Sequence, residues 1–268
     1  MSSILNNVAA MGASRQLANT SLGLNKTIQR LTTGRRINTA SDDAAGLAIS
    51  NKLGADVRIA SQGRRNANDG LSVLQTADGV LDEVTSLLTR AAELAQQAAS
   101  GTSGLDSGTG KVALNAEFQN IIKTISDIQN QTTFNGASVF NAASALSVAV
   151  GGFTTVAVAV GTFASLAATD KLDTSANAVA AAAKIATAID GVSTLRGTIG
   201  ASQQQLQSVS NSLGIQVENF TAAYSQIRDA NVADEVVNLS KFQILNQSGI
   251  SALSQANQAS QSILALLR

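Results

Sequence analysis

Residues 185–227 read IATAIDGVSTLRGTIGASQQQLQSVSNSLGIQVENFTAAYSQI. Ile185, Val192, Ile199, Leu206, Leu213, Phe220 and Ile227 stand at every seventh position of that stretch without a miss. Such spacing keeps one stripe of a helix apolar over its whole length and reads as a coiled-coil-like seam. The segment is therefore a long helix with a partner, and the fold class follows as mainly α.

Moving outward, three more segments carry helical periodicity. Leu53, Ala60, Ala67, Leu74, Leu81, Leu88 and Ala95 repeat the heptad, entered through Ser41-Asp42-Asp43, whose side chains can cap orphan amides at the positive helix end. Gly54, Gly63, Gly70 and Gly79 lie inside that segment. Each should cost about 0.8–1 kcal/mol relative to Ala. The unbroken heptad favours close approach of a neighbouring backbone there over a helix break. Near the start, Ile4, Val8, Met11, Ala18, Leu22, Ile28 and Leu31 fall near one stripe, stopped by Thr32-Thr33-Gly34. After Asp229 the phase resets, and Leu239, Phe242, Leu253, Ala256, Ile263 and Leu267 carry helix to the C-terminus. Past a loop at residues 100–110, Leu114, Phe118, Ile121, Ile125 and Ile128 mark a shorter helix.

One segment breaks the helical pattern. Leu146, Val148 and Val150 alternate, Gly151-Gly152 interrupts, and Val156, Val158 and Val160 alternate again, which predicts a β-hairpin. This is the one β signal read in the chain. The layout is thus long antiparallel helices with paired N- and C-terminal ends and one small hairpin region. Apolar burial along a single terminal helix does not clearly exceed the entropy of ordering it, so the ends are expected to become rigid only on assembly.

Composition narrows the function. Lys+Arg and Asp+Glu are both 18, so there is no cationic excess for nucleic acid or an anionic membrane surface. With no His and no Cys, imidazole and thiolate metal sites and the triads built on them are excluded. No Pro interrupts the helices, and aromatics are only 3%, which suits thin layers packed on small side chains. No cleavable targeting segment is expected, since no Lys or Arg precedes the first apolar stretch and Asn6, Asn7 and Ser14 interrupt it. No run is read as approaching the roughly 18 apolar residues of a membrane span.

Catalytic motifs fail on inspection. SGTSGLDSGTGK, ending at Lys111, lacks the Gly and the Ser/Thr of a phosphate loop, with Leu105 and Val112 in their places. Neither G-x-S-x-G nor S-x-x-K occurs. Asp82-Glu83 and Asp234-Glu235 are neighbours that do not face each other on a helix, so both read as solvated surface. Arg35-Arg36 and Arg64-Arg65 read as exposed faces or subunit contacts. The chain is expected to be no enzyme and to need no cofactor.

Five stretches resemble one known family. LTTGRRINTASDDAAGLAIS (31–50), RNANDGLSVLQTADG (65–79) and QTTFNGASVF (131–140) are similar to the N-terminal signatures of bacterial flagellins. YSQIRDANVADEV (224–236) and ILNQSGISALSQANQ (244–258) resemble their C-terminal signatures, in the same order. The resemblance implies a structural subunit that polymerises with itself into the extracellular filament. It implies an inner domain of paired ends (1–43 with a spoke near Leu31–Gly46, and 230–268) and an outer helical domain (44–140 and 174–229). Residues 141–173 hold the hairpin and loop, giving a short form without large variable domains.

The polymerisation interface is then expected at Ile4, Val8, Met11, Leu22, Ile28, Leu31, Leu239, Phe242, Leu253, Ile263 and Leu267, buried against the partner helix and against neighbouring subunits. The outer seam is expected at Leu53, Leu74, Leu81, Leu88, Ile185, Val192, Ile199, Leu206, Leu213 and Phe220. The family further implies an export chaperone, a type III export apparatus, filament cap and hook-junction proteins. It also implies a flagellin-sensing Toll-like receptor reading Arg90, Glu93 and Leu94, although Ala92 stands where relatives commonly carry Arg. Ala259 stands where many relatives carry Pro, which implies a straighter last helix. The alternatives are a hook–filament junction protein and a coiled-coil scaffold unrelated to motility. Neither nucleic acid nor membrane is expected as a partner.

Overall fold

The structure is a computed structural model that describes residues 7–100, 108–140, 146–151, 155–158, 160–163, 166 and 170–266. Its elements run α1 (Val8–Thr33), α2 (Ala44–Ala99), α3 (Gly108–Gln131), β1 (Thr133–Phe134), β2 (Ala137–Ser138), β3 (Leu146–Ala149), β4 (Thr155–Val158), α4 (Ser175–Arg228) and α5 (Val232–Leu266). Packing divides them into two compact units, residues 1–57 with 218–268, and residues 58–217. Helices are interrupted between Thr33 and Ala44 and between Arg228 and Val232, while residues 44–57 and 218–229 fall in the unit with the ends.

In the unit of residues 58–217, the heptads deliver what their spacing requires. Leu74, Leu81 and Leu88 of α2, Phe118 and Ile125 of α3, and Ile185, Val192, Ile199 and Leu206 of α4 are all buried in one core. Each such side chain contributes about 1.5–3 kcal/mol through removal from water. The Phe140 and Phe163 rings meet edge to face, centroids 5.3 Å apart, and extend that core. Ser175 donates to the Ala99 carbonyl at 2.8 Å, tying the start of α4 to the end of α2. The loop before α4 is held by Asn115, whose side-chain oxygen accepts the amide of buried Leu172 at 2.8 Å.

The expected hairpin forms from β3 and β4, paired antiparallel with Leu146 opposite Val158 and Val148 opposite Val156. Gly151 at its end has φ +99°, a conformation that suits glycine. Its other expected turn residue, Gly152, lies outside the described residues. Helix α2 runs unbroken through Gly54, Gly63, Gly70 and Gly79. At Gly63 a Cβ would stand 2.7 Å from the Val150 carbonyl carbon, and at Gly70 it would stand 2.7 Å from Val148 Cγ2. Close approach is therefore the reason for those two. Gly54 has Tyr224 at 3.4 Å, whereas Gly79 has nothing within 4 Å.

A second hairpin, absent from the sequence reading, pairs β1 with β2. Its two-residue turn is Asn135-Gly136, with φ +49° and +80°, the positive values that a type I′ turn demands. By length and apolar composition α4 also passes as a candidate membrane span, which amends the expectation that no segment would. Its buried side chains, Ile185 and Val192 among them, belong to the protein's own core.

In the unit containing both ends, α1 lies antiparallel to α5. Asn7 caps α1 by accepting the Ala10 amide at 3.0 Å, and Gly34 closes it in the left-handed conformation. The chain then crosses to the other break. The Arg36 amide donates to the Arg228 carbonyl at 2.7 Å, and the Ala230 amide donates to the Gly34 carbonyl at 3.0 Å. Arg35 and Asp229 sit opposite each other in an isolated antiparallel bridge. Asp43 starts α2 by accepting the Gly46 amide at 2.8 Å.

Candidate assembly surface

The inner seam of the α1–α5 pair combines small and polar groups with the apolar knobs Leu17 and Phe242. Thr20 and Thr27 are its buried residues on α1. Gly23 accommodates the Phe242 ring, and Gly249 accommodates Leu17. Asn246 donates to the Ser21 hydroxyl at 3.2 Å, and Asn7 donates to the Ala256 carbonyl at 3.0 Å. Arg30 pairs with Glu235 at 3.2 Å. Glu235 is buried, so the expectation of a solvated Asp234-Glu235 surface holds for Asp234 and fails for Glu235. A buried carboxylate demands a cation, and Arg30 on the facing helix supplies it.

Large apolar side chains face the other way. Val8 is 70% exposed, Leu22 63% and Ile244 66%, with Met11, Ile28, Val232, Val236, Val237 and Ile250 also exposed. The expectation that Val8, Met11, Leu22 and Ile28 bury against α5 is therefore corrected. That stripe points outward, and Leu17, Leu24 and Leu31 with Thr20, Gly23 and Thr27 are the α1 residues withdrawn from solvent instead. Leu31, Leu239, Phe242 and Leu253 are half-buried. Ile4, Leu267 and the side chain of Ile263 lie outside the described residues.

Of the expected outer seam, Leu74, Leu81, Leu88, Ile185, Val192, Ile199, Leu206 and Leu213 are buried. Leu53 and Phe220 are half-buried and pack in the unit of the ends.

Charged groups fasten elements to one another. The Asp42 carboxyl is held below its usual range chiefly by the Thr39 amide, helped by the Thr39 hydroxyl, the Asn38 amide and Lys26. Arg196 reaches from α4 to Asp78 at 3.0 Å and Asp82 at 2.9 Å on α2. Its hydrogen bond to Asp78, foremost, strengthens its hold on the proton. A cavity of about 320 Å³ is lined by Thr124, Asp127, Ile128, Gln131 and Thr132, with Asp127 its one titratable group. No cluster of three metal-ligating side chains occurs among the described residues.

Comparison with known proteins decides what this surface belongs to. Residues 4–145 match the family model of the bacterial flagellin N-terminal helical region, and residues 182–267 match that of the C-terminal helical region. The chain belongs to the bacterial flagellin family. It is 38% identical to the flagellin of Halalkalibacterium halodurans and 33% identical to the flagellin of Bacillus subtilis, each over 99% of both chains. It is likewise 33% identical to the flagellar filament 33 kDa core protein of Treponema phagedenis over 99% of both. The crystal structure of Bacillus cereus flagellin aligns with a TM-score of 0.49 and 27% identity over 60% of this chain and 94% of that one. Flagellins are structural proteins, and this member is a short one, with residues 146–181 alone between its two family matches.

The receptor patch expected from flagellins is not a single surface here. Leu94 is fully buried in the core. Arg90 and Glu93 are exposed, and Arg90 pairs with Glu117 at 2.9 Å and Glu93 at 3.0 Å. Both hydrogen bonds, that to Glu117 first, strengthen its hold on the proton.

Proposed function

We propose that this flagellin-family chain is the non-enzymatic subunit of an extracellular swimming filament and that it polymerises through the outward faces of α1 and α5. One observation carries the reading beyond family membership. Both paired ends show water a row of large apolar side chains, Val8, Met11, Leu22, Val237 and Ile244 among them, that the α1–α5 pairing leaves uncovered. Isolated soluble proteins seldom leave such rows uncovered, and a second copy of the chain is their natural cover. Head-to-tail repetition that does not close generates a helical tube. Neighbours then supply the burial that makes the ends rigid, as in folding coupled to binding. Exposed apolar residues on α5, Ile244 and Leu245 among them, also suit capture by an export chaperone before passage through a type III apparatus. Filament cap and hook-junction proteins complete the proposed partners. A Toll-like receptor would meet Arg90 and Glu93 but not Leu94.

Seeded polymerisation followed by negative-stain electron microscopy tests the proposal. Full-length chains should form filaments, and chains lacking residues 1–33 or 232–268 should not. Robust filaments from either truncated chain would overturn the assembly role of the ends.

A further inference from the structure

We infer that the pairing register of α1 and α5 is set by reciprocal glycine sockets, Gly23 receiving Phe242 and Gly249 receiving Leu17. In this scheme the inner seam selects the partner alignment, and the outward apolar face binds neighbours. The second half rests on the filament reading; the first does not.

Contact distances carry the argument. A Cβ on Gly23 would stand 2.7 Å from both Cε1 and Cζ of Phe242, and one on Gly249 would stand 3.2 Å from Leu17 Cδ1. Each knob comes from the helix opposite its socket, so neither helix can slide without unseating both. A slip of one turn along α1 would press the Phe242 ring against Thr20 or Thr27, the buried residues flanking Gly23 on the same face. Both carry branched Cβ atoms. The same slip would separate Arg30 from buried Glu235 and Asn246 from Ser21, leaving a carboxylate without its cation. Close helix approach through small residues, with polar groups fixing alignment, is a general route to specificity.

Gly12 supplies a control within the same helix, since a Cβ there would meet nothing within 4 Å. Alanine in place of a helical glycine ordinarily strengthens the helix. Propensity alone therefore moves Gly12→Ala and Gly23→Ala in one direction, and the socket moves them apart. In seeded polymerisation of the full chain, the concentration left unassembled should stay level or fall for Gly12→Ala. For Gly23→Ala it should rise, by about fivefold to thirtyfold. Adding Phe242→Leu to Gly23→Ala, which shortens the knob, should recover most of the loss. Parallel behaviour of the two alanine variants, or no recovery, overturns the inference.

Because the chain has no cysteine, engineered pairs report register directly. Ser21→Cys with Asn246→Cys should form an intramolecular disulfide, and Ser21→Cys with Ile250→Cys, one turn away, should form little. Gly23→Ala should shift that ratio toward the slipped pair. That disulfide pattern without any filaments would sink the filament reading and leave the register seam standing. Filaments with an unshifted ratio would do the reverse.

Discussion

Asn66 on α2 donates its side-chain amide to the backbone carbonyl of Ala149, the last residue of β3, at 2.8 Å. One turn earlier, Gly63 lets Val150 and Gly151 settle directly on the helix backbone. One turn later, Gly70 receives Val148. A helix face with three successive accommodations thus holds the β3–β4 hairpin against the core.

The first prediction sets two glycines of α2 against each other. Gly63→Ala must move hairpin backbone and is expected to destabilise by about 1–3 kcal/mol, as overpacking does. Gly79→Ala meets nothing within 4 Å and is expected to stabilise by about 0.5–1 kcal/mol through propensity. Denaturant unfolding of the two variants should bracket the parent.

Truncation within the seam gives a second. Leu81 is fully buried between its heptad neighbours, and Leu81→Ala is expected to cost about 2–5 kcal/mol, transfer and cavity combined. Chemical denaturation monitored by helical circular dichroism measures it. A cost under 1 kcal/mol would mean that the seam collapses around the change.

Outward residues should separate stability from assembly. Leu22→Ser and Ile244→Ser remove exposed apolar groups, so unfolding of the unassembled chain should change by only about 0.5 kcal/mol or less. Their filaments should form poorly or not at all in sedimentation assays. Normal assembly by both variants would refute the proposed outer interface.

Acid should loosen the loop between α1 and α2. The carboxylate of Asp42 accepts from Asn38 and Thr39 and pairs with Lys26 at 3.7 Å, which depresses its pKa in the folded chain. A depressed carboxyl contributes stability that is complete above the ordinary carboxylate range and disappears as pH falls through the folded value. Protection of the Asn38 and Thr39 amides, measured against their intrinsic exchange rates at each pH, should therefore fall in strong acid, and Asp42→Asn should show little of that pH dependence.

How much of this was legible follows the chemistry of each face. In α2 and α4, Leu74, Leu81, Leu88, Ile185, Val192, Ile199, Leu206 and Leu213 at seventh positions share a common core, while Leu53 and Ile227 fall in the unit of the ends. The α1 stripe was equally visible, but within one chain Val8 and Leu22 are exposed rather than packed on α5. Thr20, Gly23 and Thr27 share the inner face with half-buried Leu17, Leu24 and Leu31, a second heptad that the outward stripe masked. Glu235 gave no sign of burial either, since its cation, Arg30, lies at the other end of the chain. Asn135-Gly136 is a different case. Its turn chemistry was in plain sight, but two-residue strands are too short for alternation to show.

The stitch between Gly34–Arg36 and Arg228–Ala230 is made by main-chain atoms, so the side chains of Arg36 and Ala230 can vary without removing its donors. What it cannot survive is the loss of a donor at Arg36 or Ala230, the one change that an imino acid brings. A chain free of proline keeps both donors, and the two interruptions stay level with each other whatever chemistry decorates them.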